Sequence, residues 1–237
     1  MTGQNPSDID PLDDPREPEP RTRTRVHSES RWPMAAAVVA SAVLTLLLPD
    51  ALRLGPRWAL PLAEGLLLVA LIAGDPGRIT RRSTVLRTVS IALVVILAGS
   101  AIWSTMQLID DLIHGGTETN SATALLSAGG SVWASTVLAF SLLYFELDSG
   151  GPAARTHHMP HTPALAFPQQ LNPEVSSPNW RPRYIDYLYL GFTNSTALSP
   201  TDVMPLAPWA KCVMTLQSIV SLIILGLVVA RAVNVLV

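Results

Sequence analysis

The chain has 237 residues, of which 49% are hydrophobic and only 14% are charged, against roughly 25% charged residues in a typical soluble domain. The 16 basic and 18 acidic side chains are unevenly spread, since 12 of them lie within the first 31 positions. This composition excludes an ordinary soluble enzyme and indicates an integral membrane protein. The formal net charge of −2 provides no basic field that would attract nucleic acid, so no nucleic-acid partner is expected.

Residues 1–33 read as a disordered cytoplasmic tail. The tail contains six prolines and seven acidic residues, and it has too few apolar side chains to offset the entropy of ordering. Its acids come mostly first, and Arg21, Arg23, Arg25 and Arg31 come last, next to the first apolar stretch. This arrangement is typical of a solvated tail that fixes the orientation of a membrane protein.

Five apolar stretches follow, and each is predicted to be a transmembrane helix because about 20 mainly apolar residues are needed to cross a bilayer. The stretches are Met34–Leu54, Trp58–Gly74, Thr84–Leu108, Ala122–Phe145 and Trp209–Val237. The predicted fold class is therefore an all-α membrane protein, with four helices in residues 34–145 and the last helix at the C-terminal side.

The connections between these helices carry an uneven distribution of Lys and Arg. The tail, the second connection and the long fourth connection (146–183) together hold twelve, whereas the first and third connections hold two. Positive residues concentrate on the cytoplasmic side of multi-pass proteins. We therefore predict a multi-pass plasma-membrane protein with a cytoplasmic N-terminus, and residues 146–183 as a cytoplasmic loop.

Residues 184–237 are predicted to contain a half-helix, a polar turn and the last transmembrane helix. The helix-like run Tyr184–Ala197 would rise about 21 Å, which is too short for a hydrocarbon core of about 30 Å. Two interpretations stay open at this point: a re-entrant half-helix that turns at Ser199–Asp202, and an amphipathic helix lying in the interface.

This segment resembles the pore module of potassium-type channels, in which a half-helix, a Thr-rich turn, an Asp and a final long helix follow one another. When Asp202 is aligned with the Asp of that filter, Ser199 and Thr201 replace both glycines of the filter. The resemblance implies channel-like ion permeation through a degenerate pore loop.

A second resemblance covers the chain from about Trp133 to its end. It is carried by Glu146–Pro152 with Arg155, by Asp186–Tyr189, by Phe192–Ala197, by Ser199–Asp202 and by Arg231–Asn234. These motifs look like a family of bacterial integral membrane proteins with no assigned function. The resemblance implies a bacterial plasma-membrane protein and supplies no reaction.

Glu64 is the clearest candidate for a functional group, because ionisable residues within a membrane are costly. The predicted topology places it near the same face as Arg231, so a Glu64–Arg231 ion pair is allowed. One interpretation is a pair that locks two helices together, and the other is a proton or ion gate.

A second group of candidates lies in and after the half-helix, where a dense set of polar side chains could coordinate a small cation or water. Its members are Thr193, Asn194, Thr196, Ser199, Thr201 and Asp202. For Asp202 the alternative is a structural role in capping backbone amides.

The remaining charged candidates are predicted to form structural ion pairs. Asp186 and Lys211 belong to the cytoplasmic side, and Glu146 and Asp148 close the fourth helix, where acids oppose the helix dipole and need partners such as Arg155. The histidines of 157–161 are interpreted as part of a flexible loop, so no metal site and no cofactor are expected.

Two functions are carried forward, and neither is enzymatic, since no catalytic motif is found. The first is channel-like permeation of a small cation. The second is a non-transporting membrane scaffold or accessory subunit. The small residues Ser218, Gly226, Ala230 and Asn234 form a stripe on the last helix, which would serve packing within the bundle or contact in a homo-oligomer.

Overall fold

The computed structural model describes residues 29–79, 83–115, 120–157, 162–172, 174, 176–177, 180–196 and 202–236, with the side chains of 78, 157 and 234–236 left aside. Most of the predicted tail, His158, His161 and the turn residues Ser199 and Thr201 lie outside these ranges.

The fold is all-α, as predicted, with four two-residue strands at its periphery. The helices are α1 (Trp32–Leu47), α2 (Ala59–Gly74), α3 (Thr84–His114), α4 (Ala122–Leu147), α5 (Pro152–His157), α6 (Pro168–Leu171), α7 (Tyr184–Thr196) and α8 (Pro208–Leu236). The strands are β1 (Glu29–Ser30), β2 (Arg78–Ile79), β3 (Leu165–Ala166) and β4 (Met204–Pro205), with β1 antiparallel to β2 and β3 antiparallel to β4.

Among the described residues, three helices are long and apolar enough to cross a membrane, namely those that cover Thr84–His114, Ala122–Gly150 and Pro208–Val233. The helices α1 and α2 are apolar as well, but their 16 residues each rise only about 24 Å. Helix α1 ends before Leu54, as the Pro49-Asp50 pair within the first predicted stretch indicates. It ends at Leu47, just before Pro49, because proline cannot continue a helix.

The third helix is longer than predicted. It continues past Leu108 to His114, because Leu108 and Leu112 lie on its buried face and add another turn to the core. Gly115 then ends the helix in the left-handed conformation with φ 75°, which suits glycine best.

The helices define two ends of the bundle. We call the end at which α1 begins the tail end, and it also holds the end of α2, the start of α3, the end of α4 and the β3–β4 pair. The opposite end, which we call the far end, holds the α3–α4 connection and the end of α8, where Arg231 contacts Asn120.

Two segments predicted to lack structure are ordered at the tail end. The disorder predicted for residues 1–33 does not include Glu29–Arg31, because Glu29 and Ser30 pair with β2 and Arg31 forms an ion pair with Asp75. The loop 146–183 is also partly folded, since it contains α5, α6 and β3, and its residues Leu165 and Phe167 are buried in the core.

The half-helix α7 packs along α4 and α8, and it runs antiparallel to α4. Tyr184 Oη lies 2.8 Å from Ser141 Oγ near the tail end, and Ser195 reaches the level of Ser221 further along α8. Glycine at position 191 allows α7 to approach α4 closely, because a side chain there would place its Cβ only 3.1 Å from the Val137 carbonyl oxygen. After residues 197–201, which lie outside the described ranges, the chain is again at the tail end in β4.

Candidate functional site

Glu64 of α2 is completely buried, with 0% of its surface exposed. Neither of its carboxylate oxygens has a hydrogen-bond partner within the described ranges. The Arg31–Asp75 pair and the packing of Leu86 on Gly74 fix the register of α1, α2 and α3. Counting along the helices from these contacts places Glu64 at about the level of Ser41 in α1.

The predicted ion pair between Glu64 and Arg231 does not form. Arg231 Nη2 instead donates a hydrogen bond to Asn120 Oδ1 at 3.2 Å, in the connection between α3 and α4. The same register places Glu64 near Leu97 of α3, which is about 27 Å of helix rise from Gly115 at the far end. Arg231 is therefore too far along the bundle to reach the carboxylate.

A buried polar cluster joins α7 to α4 and α8, and Gln217 of α8 lies at its centre. Gln217 Nε2 donates to the Gly191 carbonyl at 2.8 Å and to Ser195 Oγ at 2.7 Å. Gln217 Oε1 accepts from Tyr144 Oη at 2.6 Å and from Asn194 Nδ2 at 2.9 Å. One amide thus uses all four of its hydrogen-bonding positions to connect three helices.

Asn194 and Ser221, which lie around Gln217 in this cluster, also form hydrogen bonds between helices. Asn194 Oδ1 accepts from Ser218 Oγ at 3.0 Å, and its Nδ2 also donates to the Met214 carbonyl at 3.0 Å. Ser221 Oγ donates to the Ser195 carbonyl at 2.7 Å and accepts from Trp133 Nε1 at 2.9 Å. Asn194, predicted as an ion-site residue, is therefore a helix-to-helix contact.

The other predicted oxygen ligands do not come together around a common point. Thr193 and Thr196 each turn their hydroxyls back onto carbonyls of their own helix, at 2.9 Å from Tyr189 and Thr193 respectively. Ser199 and Thr201 lie outside the described residues. Asp202 is exposed, and its side chain makes no hydrogen bond with another described residue.

The acids that end α4 are buried and have partners, as their position against the helix dipole predicts. Asp148 accepts from Tyr187 Oη at 2.6 Å and from the Leu165 amide at 3.3 Å, and Glu146 accepts from the Ser90 hydroxyl. The partners are hydroxyl and amide groups, so the predicted salt bridges of these acids to Arg155 do not form.

Arg155 instead contacts the helix end itself. Its Nη1 donates to the carbonyls of Phe145 at 2.8 Å and of Asp148 at 2.7 Å, which are among the carbonyls that the end of α4 leaves without helical partners. Its guanidinium carbon lies 4.9 Å from the Phe145 ring centre and 5.0 Å from that of Tyr187. The arginine thus places positive charge where the helix dipole is negative.

Asp186 and Lys211 do not form an ion pair with each other. Asp186 Oδ2 accepts from the Arg183 backbone amide at 2.7 Å and so stabilises the first turn of α7. The Lys211 side chain is exposed on α8.

Glu29 was not predicted to have a specific role, and it connects the tail to α7. Its Oε1 accepts from the Tyr184 amide at 2.5 Å. Burial raises the pKa of the Glu29 carboxyl from 4.5 to about 7, and the hydrogen bond from Tyr184 opposes part of that rise.

The raised pKa of Glu29 gives a pH-dependent contribution to stability. The folded state binds a proton more tightly than the unfolded state does, so this contribution is fully present below pH 4.5 and is lost as the pH rises through about 7. We expect Glu29→Gln to flatten the pH dependence of the unfolding midpoint over that interval. Thermal unfolding in detergent would measure this, with the exposed Glu174→Gln as the control; an unchanged slope in Glu29→Gln would contradict the assignment.

No role was predicted for Gln217, although the sequence carries a signal for one. A primary amide within a long apolar helix must find hydrogen-bond partners inside the protein. The partners themselves come from residues as distant as Tyr144, which no local pattern reveals.

Comparison with known protein families, with curated proteins and with solved structures found no match, so the two resemblances stay predictions. Within the described part of the chain, no three His, Cys, Asp or Glu side chains come close enough together to hold a metal ion.

Proposed function

We propose that this chain is a multi-pass protein of the bacterial plasma membrane that permits permeation of a small cation, in the first place the proton, with Glu64 as the group that carries it. The observation on which the proposal rests is the completely buried Glu64 carboxyl without a hydrogen-bond partner in the described ranges. A carboxyl within a transmembrane segment is costly and is a functional candidate by default.

The contacts of Glu64 favour a proton-binding role over a structural one. A carboxyl that holds helices together is expected to show at least one bonded oxygen, as Asp148 and Glu146 do at the end of α4. Glu64 has no bonded oxygen among the described residues, so a proton can enter or leave it without breaking a hydrogen bond to any of them.

The same reasoning makes Glu64 a better candidate than the polar groups of α7. Gln217, Asn194 and Ser195 are bonded to one another, and the cluster leaves little free capacity for an ion. Permeation through a pore loop after α7 is therefore the less supported form of the proposal.

The proposed orientation places the tail end in the cytoplasm and lets α1 to α4 and α8 span the bilayer. Four arginines that belong to the tail end, Arg31, Arg87, Arg155 and Arg181, make contacts there. Arg53 belongs to the connection between α1 and α2 on the other side of the bundle. This asymmetry agrees with the tendency of positive residues to remain cytoplasmic.

Proton flux into proteoliposomes that contain a pH-sensitive dye, driven by an imposed membrane potential, would test the proposal. We expect Glu64→Gln to reduce the flux to that of protein-free vesicles, because the amide cannot release a proton. The matched control is Glu174→Gln, which removes an exposed carboxyl and should leave the flux unchanged.

A second variant separates the two forms of permeation. If Asp202→Asn abolishes flux while Glu64→Gln retains it, the ion passes near the polar turn and the role of Glu64 is overturned. Equal flux in native and protein-free vesicles, with Na⁺ and K⁺ tested in the same way, would overturn permeation altogether.

A non-transporting scaffold or accessory subunit is the second candidate, and α8 provides the observation that favours it. Gly226 and Ala230 of the small-residue stripe are exposed, and no atom comes within 4 Å of a Cβ placed on Gly226. The described part of the chain therefore leaves the stripe open at Gly226 and Ala230, where another helix could pack. Crosslinking in membranes would detect a homo-oligomer, and a protein that stays monomeric without a partner would exclude this function.

A further inference from the structure

A cavity of about 200 Å³ lies at the tail end of the bundle. It is bounded by the start of α1, the end of α2, the start of α3, the end of α4 and the first residues of α5. Met34, Leu71 and Leu86 supply apolar walls. Glu64 does not line this cavity, so a ligand bound there is independent of the proposed permeation.

Three charged side chains also line the cavity, and each retains hydrogen-bonding capacity. Arg31 is 5% exposed, pairs with Asp75 at 3.4 Å and has no partner for its Nε among the described residues. Arg87 is exposed and donates to the Gly150 carbonyl. Glu146 accepts from Ser90 through Oε1, while its Oε2 makes no hydrogen bond with any described group.

An open groove adjoins this cavity. The groove has a volume of about 610 Å³, and Leu147, Leu206 and Trp209 supply its apolar surface. Cavity and groove share Arg87, Gly150 and Ala154, so the two spaces adjoin each other at these residues.

We propose that the cavity binds the headgroup of a phospholipid that carries a phosphate and a primary ammonium, with an acyl chain in the adjoining groove. The phosphate would contact Arg87 and Arg31, since guanidinium groups match phosphate oxygens in geometry and charge. The ammonium would contact Glu146 Oε2, which makes no hydrogen bond with any described residue and can accept from a charged donor.

The surroundings favour a membrane lipid over a soluble molecule. Basic pockets between transmembrane helices on the cytoplasmic side are suited to lipid headgroups. The apolar groove suits an acyl chain, and the charged cavity beside it suits a headgroup. The two guanidinium groups and one carboxylate of the cavity match a headgroup that carries both a negative and a positive charge.

Native mass spectrometry of the full-length protein in detergent tests this site with three phospholipids of identical acyl chains. Their headgroups are ethanolamine, which carries a primary ammonium, choline, which carries a quaternary ammonium without N–H donors, and glycerol, which carries no ammonium. We expect the ethanolamine lipid to be retained over the other two. Glu146→Gln should remove the preference for ethanolamine over choline, and Arg87→Gln should weaken binding of all three lipids about tenfold, as the loss of a charge-assisted hydrogen bond predicts.

Controls distinguish this site from unspecific charge effects. Arg183→Gln removes an exposed arginine of the same end that does not line the cavity, and it should change nothing. Soluble phosphoethanolamine should compete poorly, because it lacks an acyl chain. Equal retention of all three lipids, an ethanolamine preference that survives in Glu146→Gln, or equally strong competition by phosphoethanolamine would each overturn the proposal.

Discussion

Replacing Gln217 with Leu is expected to destabilise the protein by about 2–4 kcal/mol and to release α7 from α8. Leucine is similar to glutamine in size but cannot form hydrogen bonds. The substitution therefore leaves four groups without their common partner, namely Tyr144, Asn194, Ser195 and the Gly191 carbonyl. A hydrogen bond between transmembrane helices contributes about 0.6 kcal/mol on average, and an unsatisfied buried polar group costs about 1–3 kcal/mol. The loss of four such hydrogen bonds gives about 2.4 kcal/mol, and one group left without a partner raises the total to about 4 kcal/mol.

Unfolding in mixed micelles would measure the loss of stability, and hydrogen exchange of α7 amides would locate it. Thr215→Val serves as the control, since Thr215 is an exposed polar residue of the same helix. Because Tyr144→Phe removes one partner of the same amide, the double variant Gln217→Leu with Tyr144→Phe should lose less stability than the sum of the single variants. Full additivity would show that the two residues do not act together.

Replacing Arg155 with Ala is expected to cost about 3–5 kcal/mol, because it removes two hydrogen bonds from a charged donor that are worth about 1.5–3 kcal/mol each. Arg155 is 3% exposed and lies beside an acid, Asp148, that is 0% exposed. The variant would remove the cation from the end of α4, together with the two hydrogen bonds to the Phe145 and Asp148 carbonyls.

Arg155→Lys separates the charge of this residue from its shape. Lysine retains the positive charge but lacks the planar group that stacks on Phe145 and Tyr187, so we expect a smaller loss of about 1–2 kcal/mol. Arg183→Ala is the surface control. If Arg155→Ala unfolds at the same denaturant concentration as the native protein, Arg155 does not stabilise the end of α4.

The sequence was sufficient to predict the helices and the half-helix because these depend on the length and apolar character of local stretches. The end of α2 at Gly74 and the start of α4 at Ala122 agree with prediction. The end of α1 before Pro49 was also predictable, whereas α3 is longer than predicted because continued core packing extends it.

The partners of the site residues were harder to predict, because they depend on distances along the bundle that composition does not contain. Glu64 and Arg231 were predicted to lie near one face, yet the register of α2 and α3 separates them by several helical turns. The need of Glu146 and Asp148 for partners was predictable from the helix dipole, whereas the identity of Ser90 and Tyr187 as those partners was not.

The position of α7 has a consequence for the order of assembly during synthesis. Residues of α7 leave the ribosome before those of α8, yet the groups that satisfy Asn194 and Ser195, namely Gln217, Ser218 and Ser221, lie on α8. The half-helix therefore reaches its final place only after the first half of α8 has been made. Until then, the protein that inserts the chain must shelter the polar end of α7 from lipid.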